Sequence, residues 1–320
     1  MKHIVTGAFA ALVGLATPAL AQQQIAVSAG GTGGGYYPVA GGIAELISSR
    51  VDGYSAVAVV TGATVENMSH IATGESEFAL GIADVLTQAL GGTGHFEGRE
   101  IPLRAIAAIY AAPMQIVSLA DRPINQLQDV RGKRFSVGAP GSGNEVNTRT
   151  VLGANGITFD DLGSTERLNY NETADAMRDN TVDAGLWAST APTSTIMSLA
   201  ASRDIRLVPL SDDEVATIID NDAAFVPFTL PAGLYPGMDA PVQTVALSNA
   251  LVAHEDMDDE LAYKVTQALH ENRDFLISIH PAMNDMTLDF AVNGLPIPLH
   301  PGAIRYYEEV GVEIPDRLRP

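Results

Sequence analysis

The chain has 320 residues, and its 18 basic and 38 acidic side chains give a formal net charge of −20 at pH 7. This balance argues against binding to nucleic acid, because each phosphate contact needs a Lys or Arg that releases counterions. Anionic membrane surfaces are disfavoured for the same reason. The sequence contains no cysteine, which excludes disulfides, thiolate metal sites, thiol nucleophiles and a lipid anchor on an N-terminal cysteine.

Residues 1–21 have the features of a secretory signal peptide. Lys2 supplies the positive charge, residues 4–16 form an apolar run, and Ala19 and Ala21 frame a cleavage site for small side chains. The run is too short to cross a bilayer, and the alternative is a buried N-terminal helix. We predict an exported protein whose mature chain, by its length, contains about two domains.

Strands and helices are predicted to alternate along the first part of the mature chain. Pro38 suits the first turn of a helix, because apolar residues follow it at helical spacing as far as Ile47. Thr64 can cap the next helix and Gly74 can end it. This order indicates a parallel sheet with helices on its faces. Strands are predicted over residues 25–28, 56–61, 78–83, 104–110 and 115–119, and helices over 38–47 and 65–73.

A second unit is predicted to begin near residue 120. A strand leads into a glycine loop at residues 139–143, and this loop opens a helix with Val146 and Val151 on one face. A passage rich in proline and glycine, residues 225–242, follows this unit. Strands are predicted over residues 135–138, 168–170, 182–187, 205–210 and 244–253, and helices over 172–178 and 258–279.

The same plan therefore occurs twice, because a strand ends in a glycine-rich loop that opens a helix at residues 25–47 and again at 135–154. In open α/β sheets, ligands bind at the carboxyl ends of the strands. Helix N-termini there offer free N–H groups and a positive dipole end to an anion. The alternative is that both loops are only tight strand–helix turns. We favour the first interpretation and predict that two facing units hold a small anion between them.

Neither glycine loop matches a nucleotide-binding motif. In the first loop, Tyr36 stands where the dinucleotide fingerprint needs its last glycine. The second loop has the glycine spacing of a P-loop, but Asn144 and Glu145 stand where Lys and Ser or Thr are required. We therefore expect no nucleotide cofactor, and we interpret the glycines as positions where backbone amides approach a ligand closely.

Polar side chains beside the two loops could contact that ligand. Thr32 and Ser142 supply hydroxyl groups, and Tyr36 and Tyr37 supply phenols or apolar walls. Ser142 lacks the flanking glycines of a nucleophile elbow, and the seven histidines form no metal-binding spacing. We therefore expect a binding protein with no catalytic residues, no metal and no cofactor.

Two further residues allow two interpretations each. Trp187 ends a predicted strand near the expected cleft, where contact with a ligand and a place in the core are equally compatible with the sequence. Arg149 lies one turn into the helix after the second loop. It could pair with a carboxylate bidentately or form a surface ion pair.

Six segments together resemble the TAXI-type solute receptors of TRAP transporters, which are periplasmic binding proteins. The segments cover nearly the whole mature chain, and the first, third and last are specific to that family in combination. They are residues 28–48, 60–85, 130–152, 204–211, 229–237 and 293–311.

The resemblance implies an α/β, two-lobed type II periplasmic binding protein fold, with a mainly parallel sheet flanked by helices in each lobe and two strands as the hinge. Lobe 1 would comprise residues 22–117 and 246–320, and lobe 2 residues 118–245. By position, the ligand-binding residues implied by the resemblance are Thr32, Gly33, Tyr36, Tyr37, Asn67, Asp84, Ser142 and Gly143, to which we add Arg149 and Trp187 as candidates.

The resemblance also implies a function. The protein would be a periplasmic monomer that captures a small organic anion, such as a dicarboxylate or the acidic amino acid glutamate, and delivers it to a TRAP permease in the membrane. The alternative is a periplasmic sensor that presents its ligand to a signalling receptor, and both alternatives fit the sequence.

Overall fold

The computed structural model describes residues 22–320, and the predicted signal peptide lies outside the described residues. Within them the chain forms ten strands and eleven α-helices. The strands are β1 (Gln23–Ser28), β2 (Tyr54–Val59), β3 (Phe78–Ile82), β4 (Leu103–Leu119), β5 (Arg134–Ser136), β6 (Ser164–Glu166), β7 (Ala184–Ala188), β8 (Ile205–Leu207), β9 (Val226–Leu230) and β10 (Val242–His254). The helices are α1 (Tyr36–Arg50), α2 (Thr64–Thr73), α3 (Ala83–Gly91), α4 (Gly143–Ala154), α5 (Tyr170–Arg178), α6 (Ser194–Ala200), α7 (Asp212–Asn221), α8 (Asp259–Glu271), α9 (Arg273–Ile279), α10 (Leu288–Asn293) and α11 (Pro301–Glu309).

The strands form one mixed sheet in the order β2-β1-β3-β10-β4-β7-β5-β6, with β8 paired to β4 and β9 paired to β10. Strands β1, β2 and β3 are parallel, and so are β5, β6 and β7. Strands β4 and β10 run antiparallel to their neighbours. The two outer groups are therefore parallel, as the predicted mainly parallel sheets require, and the central pair of β4 and β10 makes the whole sheet mixed.

Strands β4 and β10 belong to both halves of the molecule. Strand β4 pairs with β10 over residues 103–113 and with β7 over residues 114–118. Strand β10 pairs with β3 over residues 249–253 and with β9 over residues 242–246. We call the half that contains β1–β3, α1–α3 and α8–α11 lobe 1, and the half that contains β5–β8 and α4–α7 lobe 2. The lobe boundaries predicted from the sequence fall within β4 and at β10, and they stay a prediction.

Strand β4 is one strand of 17 residues, where the sequence predicts two strands separated by residues 111–114. Pro113 lies inside it, although proline cannot donate to a ladder and is rare in central strands. It is tolerated because it lies where the antiparallel pairing with β10 gives way to pairing with β7, which begins at Met114.

One predicted helix and one predicted strand differ from the structure, and in each case an asparagine side chain bonds to the nearby backbone. The helix predicted over residues 258–279 is divided into α8 and α9 at Asn272, which has φ −118° and ψ 29° and donates from Nδ2 to the carbonyl oxygen of Ala268 at 2.8 Å. The strand predicted over residues 168–170 is absent from the described structure. Asn169 instead caps α5 by accepting a hydrogen bond from the backbone N–H of Glu172.

Candidate functional site

The two predicted glycine loops line one cavity of about 260 Å³ between the lobes. The first loop contributes Gly30, Gly31, Gly33, Gly34 and Gly35 from the end of β1, and the second contributes Ala139, Ser142 and Gly143 from the end of β5. Strands β1 and β5 lie in different lobes, so the cavity is closed by both halves of the molecule. Binding between the carboxyl ends of parallel strands is the usual arrangement in open α/β sheets.

Four helices begin at this cavity, two from each lobe. The lining includes Tyr36 at the start of α1, Thr64 at the start of α2, Gly143 at the start of α4 and Tyr170 at the start of α5. The first N–H groups of a helix have no partner within the helix, and they carry the positive end of its dipole. All four dipoles therefore favour negative charge in the cavity.

The two helices of lobe 1 lack side-chain caps. Within the described chain, no side chain caps α1 at Gly35 or α2 at Ala63, whereas in lobe 2 Ser142 caps α4 and Asn169 caps α5. The N–H groups of the N-cap residues Gly35 and Ala63 donate to Ser189 and Thr61, and Pro38 in the first turn of α1 has no N–H. The amides that an acceptor in the cavity can use are therefore those of the first two residues of α1 and of the first turn of α2. Backbone amides at a helix N-terminus form a ready-made site for an anion.

None of the described residues that line the cavity carries a charged side chain. Its polar side chains are hydroxyl and amide groups, and much of its remaining wall is aromatic or aliphatic. The polar groups belong to Thr61, Thr64, Ser142, Ser189, Asn144, Asn147 and Asn169, and the aromatic and aliphatic walls to Tyr36, Tyr110, Tyr170, Val60, Ile82 and Leu168.

Two of the three tyrosines already have hydrogen-bond partners on the protein. The hydroxyl of Tyr36 donates to Oδ1 of Asn249 at 2.5 Å, and the hydroxyl of Tyr170 donates to the carbonyl oxygen of Ala188 at 2.8 Å. Burial raises the pKa of Tyr36, Tyr110 and Tyr170, so all three phenols are neutral. These rings act as uncharged walls of the cavity.

The first glycine loop also lies in direct contact with lobe 2. The carbonyl oxygen of Gly33 accepts from the hydroxyls of Ser194 at 3.4 Å and Thr195 at 3.3 Å. A Cβ atom built on Gly35 would lie 2.5 Å from Cγ2 of Thr190. Real side chains do not approach so closely, so glycine is required where the lobes meet. The lobes are therefore in a closed arrangement around the cavity.

Four of the ten candidate residues line the cavity: Gly33, Tyr36, Ser142 and Gly143. Thr32 and Tyr37 lie outside the lining, and Tyr37 is 37% exposed. Tyr37 follows Tyr36 on α1, and successive residues of a helix point about 100° apart. Thr32 accepts a hydrogen bond from Nδ2 of Asn171 at 3.4 Å across the lobes.

Asn67 and Asp84 also lie outside the lining, because both are buried within the protein. Asn67 donates from Nδ2 to the carbonyl oxygens of Ala29 at 2.7 Å and Leu80 at 2.8 Å, and so holds the ends of β1 and β3 together. Asp84 accepts at 2.7 Å from Nδ2 of Asn147 in lobe 2. Burial, with a smaller repulsion from Asp222, raises its pKa to about 8.

The structure assigns core and surface positions to Trp187 and Arg149. Trp187 is fully buried, stacks on Tyr170 with ring centroids 6.1 Å apart and donates from Nε1 to Oγ1 of Thr195 at 3.2 Å. The guanidinium of Arg149 lies on the ring of Phe159, with Cζ 4.2 Å from its centroid. Neither residue lines the cavity, so Trp187 contributes only by supporting the wall at Tyr170.

Several lining residues were not among the candidates. Thr64 and Asn169 could have been identified, since each begins a helix directly after a strand or a turn, and Asn169 with Glu172 has the spacing of a capping box. The others reach the cavity only through tertiary structure. They include Thr61, Tyr110, Asn144, Asn147, Tyr170 and Ser189.

No group of three or more His, Asp or Glu side chains in residues 22–320 is arranged to hold a metal ion. No helix in the same part of the chain combines the length and hydrophobicity that crossing a membrane requires.

Comparisons with known proteins agree with this architecture. The model of the NMT1-like family matches residues 27–311. Similar solved structures include a protein from Bordetella bronchiseptica RB50, at 16% identity and a TM-score of 0.53 over 92% of this chain and 91% of that chain. A binding protein component of an ABC phosphonate transporter from Pseudomonas aeruginosa is 12% identical, with a TM-score of 0.53 over 84% of each chain.

A third similar structure is PhnD1 from Prochlorococcus marinus in complex with methylphosphonate, at 12% identity and a TM-score of 0.53 over 82% of this chain and 90% of that chain. At such low identity these likenesses show the fold alone. They confirm the predicted α/β, two-lobed periplasmic binding protein fold.

Proposed function

This chain belongs to the NMT1-like family, and from that premise we propose that it is a periplasmic solute-binding receptor that captures a small organic anion between its lobes and delivers it to a membrane permease. Lobe closure about β4 and β10 would enclose the solute, as hinge closure does in binding proteins of this shape. The protein would bind without chemical change to the solute.

The convergence of helix N-termini carries this proposal. Helices α1 and α2 of lobe 1 meet α4 and α5 of lobe 2 at one cavity, and α1 and α2 have no side-chain cap among the described residues. A solute with an oxyanion can accept from these amides without any Lys or Arg, because the helix dipoles supply the positive potential.

The permease that receives the solute could be of the TRAP type or of the ABC type, and we propose the TRAP type. The resemblance to TAXI-type receptors supports a TRAP permease, whereas similar solved structures include a component of an ABC phosphonate transporter. Uptake of a labelled solute by cells that carry each permease, with and without this receptor, tests the choice. Receptor-dependent uptake through the TRAP permease supports the first, and uptake only through the ABC importer supports the second.

A sensor that presents its ligand to a signalling receptor is the second candidate function. It would use the same cavity and the same closed surface, which is why the sequence resemblance is compatible with both. The uptake experiment tests it too. A strain without this receptor would keep its uptake of the solute and lose only the response to it.

Native mass spectrometry of the purified protein, followed by a thermal-shift screen, tests the ligand class. We expect carboxylates, sulfonates or phosphonates to raise the unfolding temperature, because a ligand at 100 times its Kd stabilises the folded state by about 2.7 kcal/mol. The dicarboxylates and glutamate that the resemblance implies belong in the screen. Stabilisation only by neutral or cationic solutes would contradict the proposal.

A further inference from the structure

Among residues 22–320, no negative side chain lines the cavity to receive a cationic group. Three acidic side chains lie just behind its lining, and none of them offers a free negative charge to the cavity. Glu66 accepts from the backbone N–H of Gly62 at 2.7 Å, and Glu145 pairs with Nε of Arg167 at 2.8 Å. The third, Asp84, accepts from Asn147 at 2.7 Å with one oxygen. Its other oxygen has no partner among the described residues, but burial raises its pKa to about 8, so Asp84 is neutral at pH 7. None of the three belongs to the lining.

The field in the cavity is also unfavourable to a cation. The positive dipole ends of α1, α2, α4 and α5 meet there, and each repels positive charge as strongly as it attracts negative charge. An ammonium group enclosed by the closed lobes would lose its hydration without gaining a counter-ion, which is costly in a buried site.

The remaining wall favours an uncharged body on the solute. Val60, Ile82, Tyr110 and Leu168 contribute aliphatic and aromatic surface to the cavity. A cavity of about 260 Å³ lies just below the ~300–1,000 Å³ of pockets that hold drug-sized ligands. The space therefore suits a compact organic acid.

We propose that the solute carries one or more oxyanions and no cationic group, so that the receptor accepts oxo, hydroxy or unsubstituted acids and rejects the amino acids of the same skeleton. This inference rests on the proposed function, since it narrows the ligand class of the same cavity. It separates glutamate from glutarate and from 2-oxoglutarate, which share its two carboxylates.

Matched pairs of acids test the inference by calorimetric titration. The pairs are 2-oxoglutarate with L-glutamate and with D-glutamate, and 4-methyl-2-oxopentanoate with L-leucine. Within each pair the skeleton is constant and only the ammonium differs. In at least one pair we expect the oxo acid to bind about a hundredfold or more tightly than its amino acid, because the buried ammonium lacks a counter-ion.

The outcomes separate this inference from the proposed function. An amino acid that binds as tightly as its oxo acid would overturn the inference and leave an anion receptor. If oxyanions of every kind fail to bind and neutral solutes succeed, the proposed function fails and the inference fails with it.

A variant pair in the cavity wall provides a second test. Val60 lines the cavity and is 54% exposed, so both Val60→Asp and Val60→Asn should fold. We expect Val60→Asp to reduce the ratio of oxo-acid affinity to amino-acid affinity at least severalfold, because it supplies the missing negative charge. Val60→Asn should leave this ratio unchanged. An equal preference in the two variants would contradict a role for charge.

Discussion

Gly143, the first residue of α4, lies against lobe 1 with no space for a side chain. A Cβ atom built there would lie 2.9 Å from Cγ2 of Ile82 and 3.1 Å from Oγ1 of Thr64. Alanine at this position would hold the lobes apart unless those side chains move. We expect Gly143→Ala to weaken solute binding about tenfold or more, or ~1.4 kcal/mol, as measured by calorimetric titration.

Gly153→Ala is the matched control, because Gly153 lies near the other end of α4 and a Cβ atom there meets nothing within 4 Å. We expect this variant to bind as the wild type does and to be up to about 1 kcal/mol more stable, since alanine favours helix over glycine. If both variants bind like the wild type, the start of α4 does not contribute to the site.

Asp84 makes the free energy of unfolding depend on pH. Burial raises its pKa from 3.8 to about 8, and its Oδ1 is buried without a hydrogen-bond partner among the described residues. Between these values the folded chain holds a proton on Asp84 that the unfolded chain releases. The contribution is complete below pH 4 and is lost as the pH rises through about 8.

We expect Asp84→Asn to reduce the fall in stability between pH 5 and pH 8, because an amide resembles the protonated acid and does not titrate. Over the three pH units from 5 to 8, Asp84 can lower the free energy of unfolding by roughly 4 kcal/mol at most, since one proton contributes ~1.4 kcal/mol for each pH unit. Urea unfolding at both pH values measures it. The same pH dependence in wild type and variant would show that Asp84 is already ionised at pH 5.

At the residue scale, the sequence predicts positions where the backbone itself lines the cavity. Gly33 and Gly143 follow from glycine-rich turns between a strand and a helix, which are local features. Asn67 could not be assigned in this way, because its partners Ala29 and Leu80 are distant in sequence. Trp187 illustrates the same limit, since only its stacking on Tyr170 places it behind the wall.

The beginning of α2 carries backbone strain at the cavity. Ala63, its N-cap, has φ 81° and ψ −151°, a region that side chains other than that of glycine enter at a cost of about 1–3 kcal/mol. We expect Ala63→Gly to raise the free energy of unfolding by about 1 kcal/mol, after allowance for the greater freedom of glycine in the unfolded chain. Urea denaturation measures the difference.

Ala154→Gly at the end of α4 controls for the general effect of glycine. Ala154 belongs to a helix, so its replacement should lower the free energy of unfolding by roughly 0.5–1 kcal/mol. Opposite signs for the two substitutions are expected. A loss of stability in both would indicate that Ala63 is unstrained in solution.

At the element scale, a local signal predicts the end of α2 but not its cap, because Thr64, predicted to cap α2, is its first residue and Ala63 is the N-cap. Gly74 ends α2 with φ 73°, as its sequence position indicates. The direction and continuity of β4 could not be predicted, because Pro113 and the alanines around it resemble a break. The strand continues because β4 pairs with β10 as far as Pro113 and with β7 from Met114 onward.

For the whole molecule, the contacts between lobes predict a measurable closure. Two hydrogen bonds cross the cleft, one between Gly33 and Thr195 and one between Asp84 and Asn147. Both would break when the lobes open. With solute present, we expect a radius of gyration near the ~19 Å of a compact chain of about 300 residues, and a larger value without it. Small-angle X-ray scattering measures both.

Gly143→Ala is expected to keep the larger radius even with solute, because its methyl group would meet Ile82. Gly153→Ala should close as the wild type does. Equal radii with and without solute in the wild type would contradict hinge closure, and they would indicate a cavity that is permanently formed.

The place of β10 in the sheet has a consequence for synthesis of the chain. β10 lies between β3 and β4, yet it follows both by more than 120 residues. A nascent chain that has emerged only as far as α7 therefore has β3 and β4 without the strand that joins them. The edges of β3 and β4 that pair with β10 remain unpaired until residue 254 has been synthesised. The sheet that joins the two lobes can therefore be completed only at a late stage of synthesis.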